Sequence, residues 1–273
     1  MNRKFAIGTA LAGAFALGAL VVAYSSGSEQ SAQSKPPQKH ISTSFSELQE
    51  EEIRDIIYEY LMSNPEVIID AVNAYSNQQR VRAEGRAKEV ASDRLSALLS
   101  PETGFIAGKN PDQAQVAVIE LFDYHCAYCK RAAPLIKAIT ENDAAVKVVF
   151  RELPILREES EFAAEASLAA REQGKFLDFH FAMMKASGVM TRERVKSFAE
   201  NEGLDFAQLE RASRKRAISA AIKESHEIAR EMGIDGTPTF VIAALDGSYI
   251  DVVQGFDRKR LENAIAAAKN ASG

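Results

Sequence analysis

Residues 120–134 read ELFDYHCAYCKRAAP and hold both cysteines of the 273-residue chain, Cys126 and Cys129. The stretch continues VAVIELF (116–122), a buried β run of strand length. Residues 129–141 that follow have a helical pattern, with Pro134 as an expected kink. A second β run, VKVVFREL (146–153), completes a β-α-β unit whose crossover is parallel and right-handed. Cys126 is thereby placed at the end of a buried strand and in the first turn of a helix. Unpaired backbone N–H groups and the helix dipole favour a thiolate at such a position. Cys129, one turn further in, is expected to be the more buried thiol. Two intervening residues allow the pair to close into a small disulfide.

Downstream, residues 158–232 are helix-like almost throughout, interrupted near SGVMT (187–191) and NEGLD (201–205). TPTFVIA (237–243) and SYIDVVQG (248–255) read as strands joined at Asp246-Gly247, and DRKRLENAIAAAKN closes the chain as a helix. The sum is an α/β domain: β-α-β, a helical insertion, then β-β-α. Phe176, Phe179 and Phe181 read as core of the insertion, and His180 and His226 as packing residues without chemistry.

Upstream, Ile53, Ile56, Ile57, Tyr60 and Leu61 recur with helical period, and Ser46 with Gln49 is spaced as a capping box. SNPE (63–66) stops that helix and starts another, with Asn64 as N-cap and Pro65 in the first turn. The second helix is predicted to run to about Leu99. Val67, Ile68, Ala71, Val72 and Tyr75 give it an apolar stripe, followed by a polar stretch with Gly85 inside. Residues 45–99 therefore read as an oligomerisation stalk, with a helix folded back on its own domain as the alternative; 100–273 is the expected catalytic domain. Residues 25–44 are polar with Pro36-Pro37 and read as a flexible linker.

Residues 1–24 carry Arg3 and Lys4 before an uncharged apolar run over 5–23, an export segment. Val21-Val22-Ala23 would serve as a cleavage site, while the length of the run also fits an uncleaved inner-membrane anchor. The expected location is periplasmic, soluble after cleavage or anchored by residues 5–23. Outside the cytoplasm two thiols do not simply stay reduced. A net charge of −5 carries no basic excess, which argues against nucleic acid as a partner.

Two cysteines three apart permit several chemistries. Structural zinc needs four ligands, and no second CxxC or HxxxH exists in the chain. An inert staple would close too short a loop to add much stability. Copper(I) held by the two thiolates with His125 alongside remains open as a non-catalytic alternative. Redox exchange is the leading reading, with no cofactor and no metal.

VIELFDYHCAYCKRAAP, FRELPIL and GIDGTPTFVI, in that order around a helical insertion, resemble the DsbA family of thioredoxin-fold thiol:disulfide oxidoreductases over about residues 100–270. EEIRDIIYEYLMSNPEVIIDAV further resembles the N-terminal extension of its subgroup that includes suppressor of copper sensitivity protein C and related trimeric DsbA-like proteins. The resemblance implies a thioredoxin fold with a helical insertion at about 158–232, preceded by an α-helical extension. Cys126 would be the nucleophile and Cys129 the resolving thiol. Helix-start cysteines of this kind have pKa values of about 3.5–7.5, a range whose lower end DsbA itself sets. Thr237-Pro238 would form a cis-peptide loop beside the site, offering the Thr237 backbone to an extended substrate. Glu120 would match the family's buried acidic residue and relay the Cys129 proton. Ala127-Tyr128 departs from the Pro-His pair of strongly oxidising members and from the Gly-Pro of reductants, which puts a strong oxidant in doubt. His125 is the candidate to replace part of that lost stabilisation.

The expected function is protein disulfide isomerase, with protein disulfide oxidase and a copper(I)-binding stress protein as alternatives. The expected partners are misfolded or reduced extracytoplasmic proteins, a membrane redox partner, and further copies of the chain, with a trimer implied by resemblance.

Overall fold

The computed structural model describes residues 45–273; the expected signal or anchor (1–24) and all of the linker (25–44) lie outside them. Helix α1 (Glu47–Ser63) forms a unit by itself and buries none of its residues. The capping box at its start is present: Ser46 N–H donates to Gln49 Oε1 at 3.0 Å and Gln49 N–H to Ser46 Oγ at 3.4 Å.

The second unit begins at Asn64. Helix α2 (Glu66–Asp93) has Pro65 at its N-cap with φ −63°, the value the pyrrolidine ring imposes, so the start falls a residue later than expected. It ends at Asp93 instead of continuing to Leu99. Arg94 (φ −97°) turns the chain into the short helix α3 (Leu95–Leu98). The reason is tertiary. Ala87, Ala91 and Leu98 are fully buried against Ile119, Leu121, Val241 and Val252, and the turn at Arg94 lets Leu98 enter that cluster.

Next come β1 (Phe105–Ala107), β2 (Val116–Phe122), α4 (Ala127–Asn142) and β3 (Val146–Glu152). The insertion follows as α5 (Glu158–Ala169), α6 (Phe176–Lys185), α7 (Arg192–Asn201), α8 (Phe206–Ser213) and α9 (Arg216–Met232). The chain closes with β4 (Thr239–Ala244), β5 (Ile250–Gln254) and α10 (Arg258–Ala271). The strands form one sheet in the order β1-β3-β2-β4-β5, with β2 and β3 parallel and the other neighbours antiparallel.

Side chains alternate along β2, as the pleat requires. Val116, Val118 and Phe122 pack with α4 and the insertion, including Phe176, Phe179 and Phe181, whereas Ala117, Ile119 and Leu121 pack with the cluster from α2, α3 and α9. Glu120 points to the first face, opposite Phe150 of β3 and Phe240 of β4 in the register.

The boundary expected near residue 100 thus differs from the compact unit, because residues 87–98 are core. Arg151 of β3, fully buried, reinforces this. Its guanidinium donates to Ala97 O at 3.1 Å and Ser225 Oγ at 3.2 Å, pairs with Glu224 at 3.0 Å, and also bonds Thr103 Oγ1. Lys88 meets Asp251 at 2.9 Å, tying α2 to β5.

Leu98→Ala is expected to lower the unfolding free energy by about 2–5 kcal/mol. Lys223→Ala, at a side chain 77% exposed on α9, is expected to stay within about 0.5 kcal/mol. Urea denaturation of the two variants checks both; equally small effects would mean that residues 87–98 do not belong to the folding unit.

Candidate active site

Cys126 is the N-cap of α4, with its backbone extended (φ −75°, ψ 115°) and its sulfur turned over the first turn. The Cys129 N–H donates to Cys126 Sγ at 3.2 Å, and the Cys126 thiol reaches the Thr237 carbonyl oxygen at 3.0 Å. Both cysteines are free thiols here, and Cys129 is the more buried. The Thr237-Pro238 peptide bond is cis, and the backbone beyond it leads directly into β4. Four of the expected residues, Cys126, Cys129, Thr237 and Pro238, are therefore brought together.

The electrostatics divide the two sulfurs. Hydrogen bonding from Cys129, helped by Thr237 and the N–H groups at the head of α4, lowers the Cys126 pKa from 9.0 to about 6 against the opposing effect of burial. Cys129 moves strongly the other way, chiefly through burial, then through its hydrogen bond to Cys126 and the charge of Glu120. One thiol is poised to be an anion near neutral pH while the other stays protonated.

Glu120 is buried between two phenylalanines, with no ion pair among the described residues. Desolvation first, and the Cys126 charge second, raise its pKa from 4.5 to about 8. It is thus a buried acid rather than a salt-bridged strand end, and its charge acts on Cys129.

His125 does not do what was expected of it. Met190 N–H donates to His125 Nε2 at 2.8 Å, so that nitrogen carries no proton, and Nδ1 lies 2.8 Å from Ser160 Oγ. Burial lowers the imidazole pKa below its usual value. The ring is neutral, is committed at both nitrogens, and supplies neither a cation to the Cys126 thiolate nor a free third ligand for copper. Ala127 and Tyr128 point outward. Tyr128 is 52% exposed, with the Arg131 guanidinium 4.0 Å from its ring centroid.

Sequence reasoning missed the group that holds the cysteine loop. Asp123 is buried, and its carboxylate accepts from His125 N–H (2.7 Å), Ser160 Oγ (2.9 Å), Ile155 N–H (2.9 Å) and Leu156 N–H (3.0 Å). It fastens the nucleophile loop to the segment after β3, where Ile155 and Leu156 are exposed. Beneath it the Tyr124 hydroxyl lies 2.6 Å from Ser167 Oγ and 2.9 Å from His180 Nδ1. His180 is buried, and desolvation lowers its pKa to about 3, so it packs as a neutral ring. The signal for Asp123 was an acid directly after the strand; three of its four partners are 32 to 37 residues away.

The sequence pattern of the DSBA-like thioredoxin domain matches residues 117–266, and that of the copper resistance protein ScsC N-terminal domain matches residues 49–81. A solved thioredoxin-like oxidoreductase from Silicibacter pomeroyi is 39% identical, covering 64% of this chain and 96% of that one, with a TM-score of 0.58. Salmonella enterica Typhimurium BcfH is 25% identical over 83% of this chain and 97% of its own, with a TM-score of 0.67. Among curated relatives, a Na(+)/H(+) antiporter NhaA 3 of Salinispora tropica is 29% identical over 166 residues, 60% of this chain. The chain spans about a quarter of that relative's length. No helix among the described residues is long and apolar enough to cross a membrane.

Two pH effects follow. Absorbance of the Cys126 thiolate at about 240 nm should titrate with a midpoint near 6 and vanish in Cys126→Ser. Because the folded pKa is depressed, this thiolate stabilises the reduced fold fully above about 9, and the contribution is lost as pH falls through about 6. Glu120 has the opposite sign: its raised pKa makes folding increasingly costly between about 4.5 and 8. Glu120→Gln should therefore stabilise the reduced chain at pH 8 by about 1–3 kcal/mol, read by denaturation. No gain at pH 8 relative to pH 4 would contradict the buried-acid assignment.

Proposed function

The chain belongs to the DSBA-like thioredoxin domain family of thiol-disulfide exchange proteins, and within it we propose a protein disulfide isomerase acting outside the cytoplasm. The observation that carries exchange chemistry is the pairing of a thiolate-favouring Cys126 with a protonated, buried Cys129, 3.2 Å from backbone N–H to sulfur, beside the Thr237 carbonyl.

In the proposed cycle the Cys126 thiolate attacks a wrong disulfide of a client and forms a mixed disulfide, releasing one client thiolate. That thiolate attacks another client disulfide, and the client finally displaces Cys126. If the client stalls, Cys129 attacks the mixed disulfide and releases it. Cys129 must first lose its proton, and Glu120 is the base. Its timing is set by charge: once Cys126 is in a mixed disulfide its negative charge is gone, and one of the two influences raising the Glu120 pKa disappears. Glu120 then ionises when the proton has to move. The Thr237 backbone serves as the edge on which an extended client segment pairs.

Misfolded clients as substrates are supported by the surface around the sulfur. Beyond residue 81 the exposed large hydrophobics are Tyr128 (52%), Ile155 (38%) and Leu156 (48%), between or beside the cysteines. Isomerase over oxidase is supported by the apolar residues that α1 leaves exposed, among them Ile53, Ile56 and Ile57, and by Val67, Ile68, Val72 and Tyr75 of α2. On each helix by itself, exposed apolar residues in this number mark an association surface. We assign it to further copies of the chain, a trimer by resemblance, whose catalytic domains then meet one client repeatedly at high effective concentration. A membrane reductant is needed to keep the pair as thiols. The apolar run at 5–23 supports export. Copper(I) would find two soft sulfurs but no third ligand from His125, whose ring nitrogens are both engaged.

The test leaves the core intact, which a chain starting at residue 100 would not. Ile53, Ile56 and Ile57 are replaced together by Ser, and reactivation of a scrambled-disulfide ribonuclease is measured beside mass by light scattering. The expected result is an oligomer for the native chain, a smaller species for the variant, and at least about a tenfold loss of reactivation. Equal reactivation by both would remove the link between α1 and isomerisation. Oxidation of reduced ribonuclease without reactivation in either would make the chain an oxidase.

A further inference from the structure

Beside the cysteine pair the surface opens into a recess of about 330 Å³ lined by His125, Ala127, Lys130, Arg157 and the loop residues Ser187, Gly188 and Val189. Its charged lining is cationic. Lys130 Nζ donates to Ala186 O at 2.6 Å and to Met183 O at 3.4 Å. Arg194 braces the same loop, donating to Ser187 O at 2.6 Å and Val189 O at 2.9 Å. Both cations are held by uncharged carbonyls, so their charge is not neutralised where it is anchored. Among the described residues, the ion pairs of the chain involve none of Lys130, Arg157 and Arg194.

The neighbouring acids do not fill the role. Asp123 is buried and accepts from four donors of its own. Glu120 lies on the strand below. Glu159 is exposed and its charge is felt at His125, but it does not line the recess. A chain with a net charge of −5 thus keeps unpaired cations at the mouth of its reactive sulfur. Such a local field attracts anions of the substrate and not the protein's own.

We propose that this recess is an anion subsite that receives a carboxylate carried by the thiol or disulfide substrate next to its sulfur, so that the chain prefers acidic sulfur substrates. The proposal rests on the exchange reading above and names the substrate class of that site. The carboxylate comes either from an acidic side chain beside a client cysteine or from a small free acidic thiol. The chemistry is ordinary exchange. Cys126 thiolate displaces one half of RSSR, forming Cys126–S–S–R and RS⁻. Cys129, losing its proton, then displaces the second half. The chain is oxidised by two electrons to its disulfide, and RSSR is reduced to two thiols.

The test exploits an order that bulk chemistry would reverse, since a thiolate attacks a negatively charged disulfide more slowly than a neutral one. The reduced full chain is reacted with three small disulfides of similar size: dithiodipropionate (two carboxylates), bis(2-hydroxyethyl) disulfide (neutral) and cystamine (two ammonium groups). At low salt the expected rates fall in that order, with about threefold to tenfold between dianion and neutral. Raising the salt to about 0.3 M should shrink the ratio. Arg157→Gln should bring the ratio to about one or below, and Arg157→Lys should retain it, which separates charge from a folding defect. A second pair of substrates, disulfide-linked peptides with Glu or Gln next to the cysteine, identifies the source. A Glu preference assigns the recess to client side chains, and a preference confined to dithiodipropionate assigns it to a free acidic thiol. Equal rates for the three disulfides, or an order unchanged in Arg157→Gln, would overturn the subsite while leaving exchange intact. No reaction with any of them would overturn both.

Discussion

At the head of α4 one sulfur has to carry charge while its neighbour, three residues on, has to stay neutral. Both demands are met within a single turn: the Cys129 N–H and thiol are directed at Cys126 Sγ, and burial keeps Cys129 protonated. The side-chain hydrogen bond between the two sulfurs lowers the Cys126 pKa and raises that of Cys129, and burial is the larger cause on Cys129. This asymmetry separates an attacking thiol from a resolving one, and much of the surrounding structure maintains it.

The sheet supplies the base of the site and the charge below it. Glu120 is a carboxyl in a strand whose facing neighbours are Phe150 and Phe240, an arrangement that costs stability above its unperturbed pKa. A buried carboxyl kept at such a cost, with its charge felt at Cys129, fits the proton-transfer role proposed for it. Asp123, directly after the same strand, does a mechanical job. By accepting from both the cysteine loop and residues 155 and 156, it fixes the exposed apolar pair beside the nucleophile. Arg151 anchors the other face, joining α3, the loop after it and α9, so that α2 and α3 belong to the same folding unit as the sheet.

Much of this was legible in the chain. The apolar runs at 116–122 and 146–153 are the two parallel strands, the second ending one residue earlier than read, at Glu152, and the helical stretch from 158 to 232 has the ends that the pattern drew. Local signals sufficed there because burial on both faces leaves unbroken hydrophobic runs. The strand Phe105–Ala107 was missed: three residues carry no alternation, and its existence depends on pairing with β3. The stop at Asp93 was missed because neither Gly nor Pro marks it and burial of Leu98 decides it. The fate of His125 was misjudged for a related reason. Its ring is claimed by Ser160 and Met190, 35 and 65 residues downstream, so a histidine adjacent to a nucleophile in sequence is turned away from it in space. Cations from α4, the residue before α5 and α7 meet around one recess, and no single segment foretells that.

The central claim, that Cys126 alone attacks and Cys129 alone resolves, is tested most directly by trapping. A radiolabelled client with a non-native disulfide is mixed with Cys129→Ala or with Cys126→Ala, quenched in acid and resolved without reductant. The account predicts a covalent client adduct that accumulates with Cys129→Ala and is released by reductant, and none with Cys126→Ala. Adducts of comparable yield with both variants, or none with Cys129→Ala while native thiol reactivity at Cys126 persists, would contradict it.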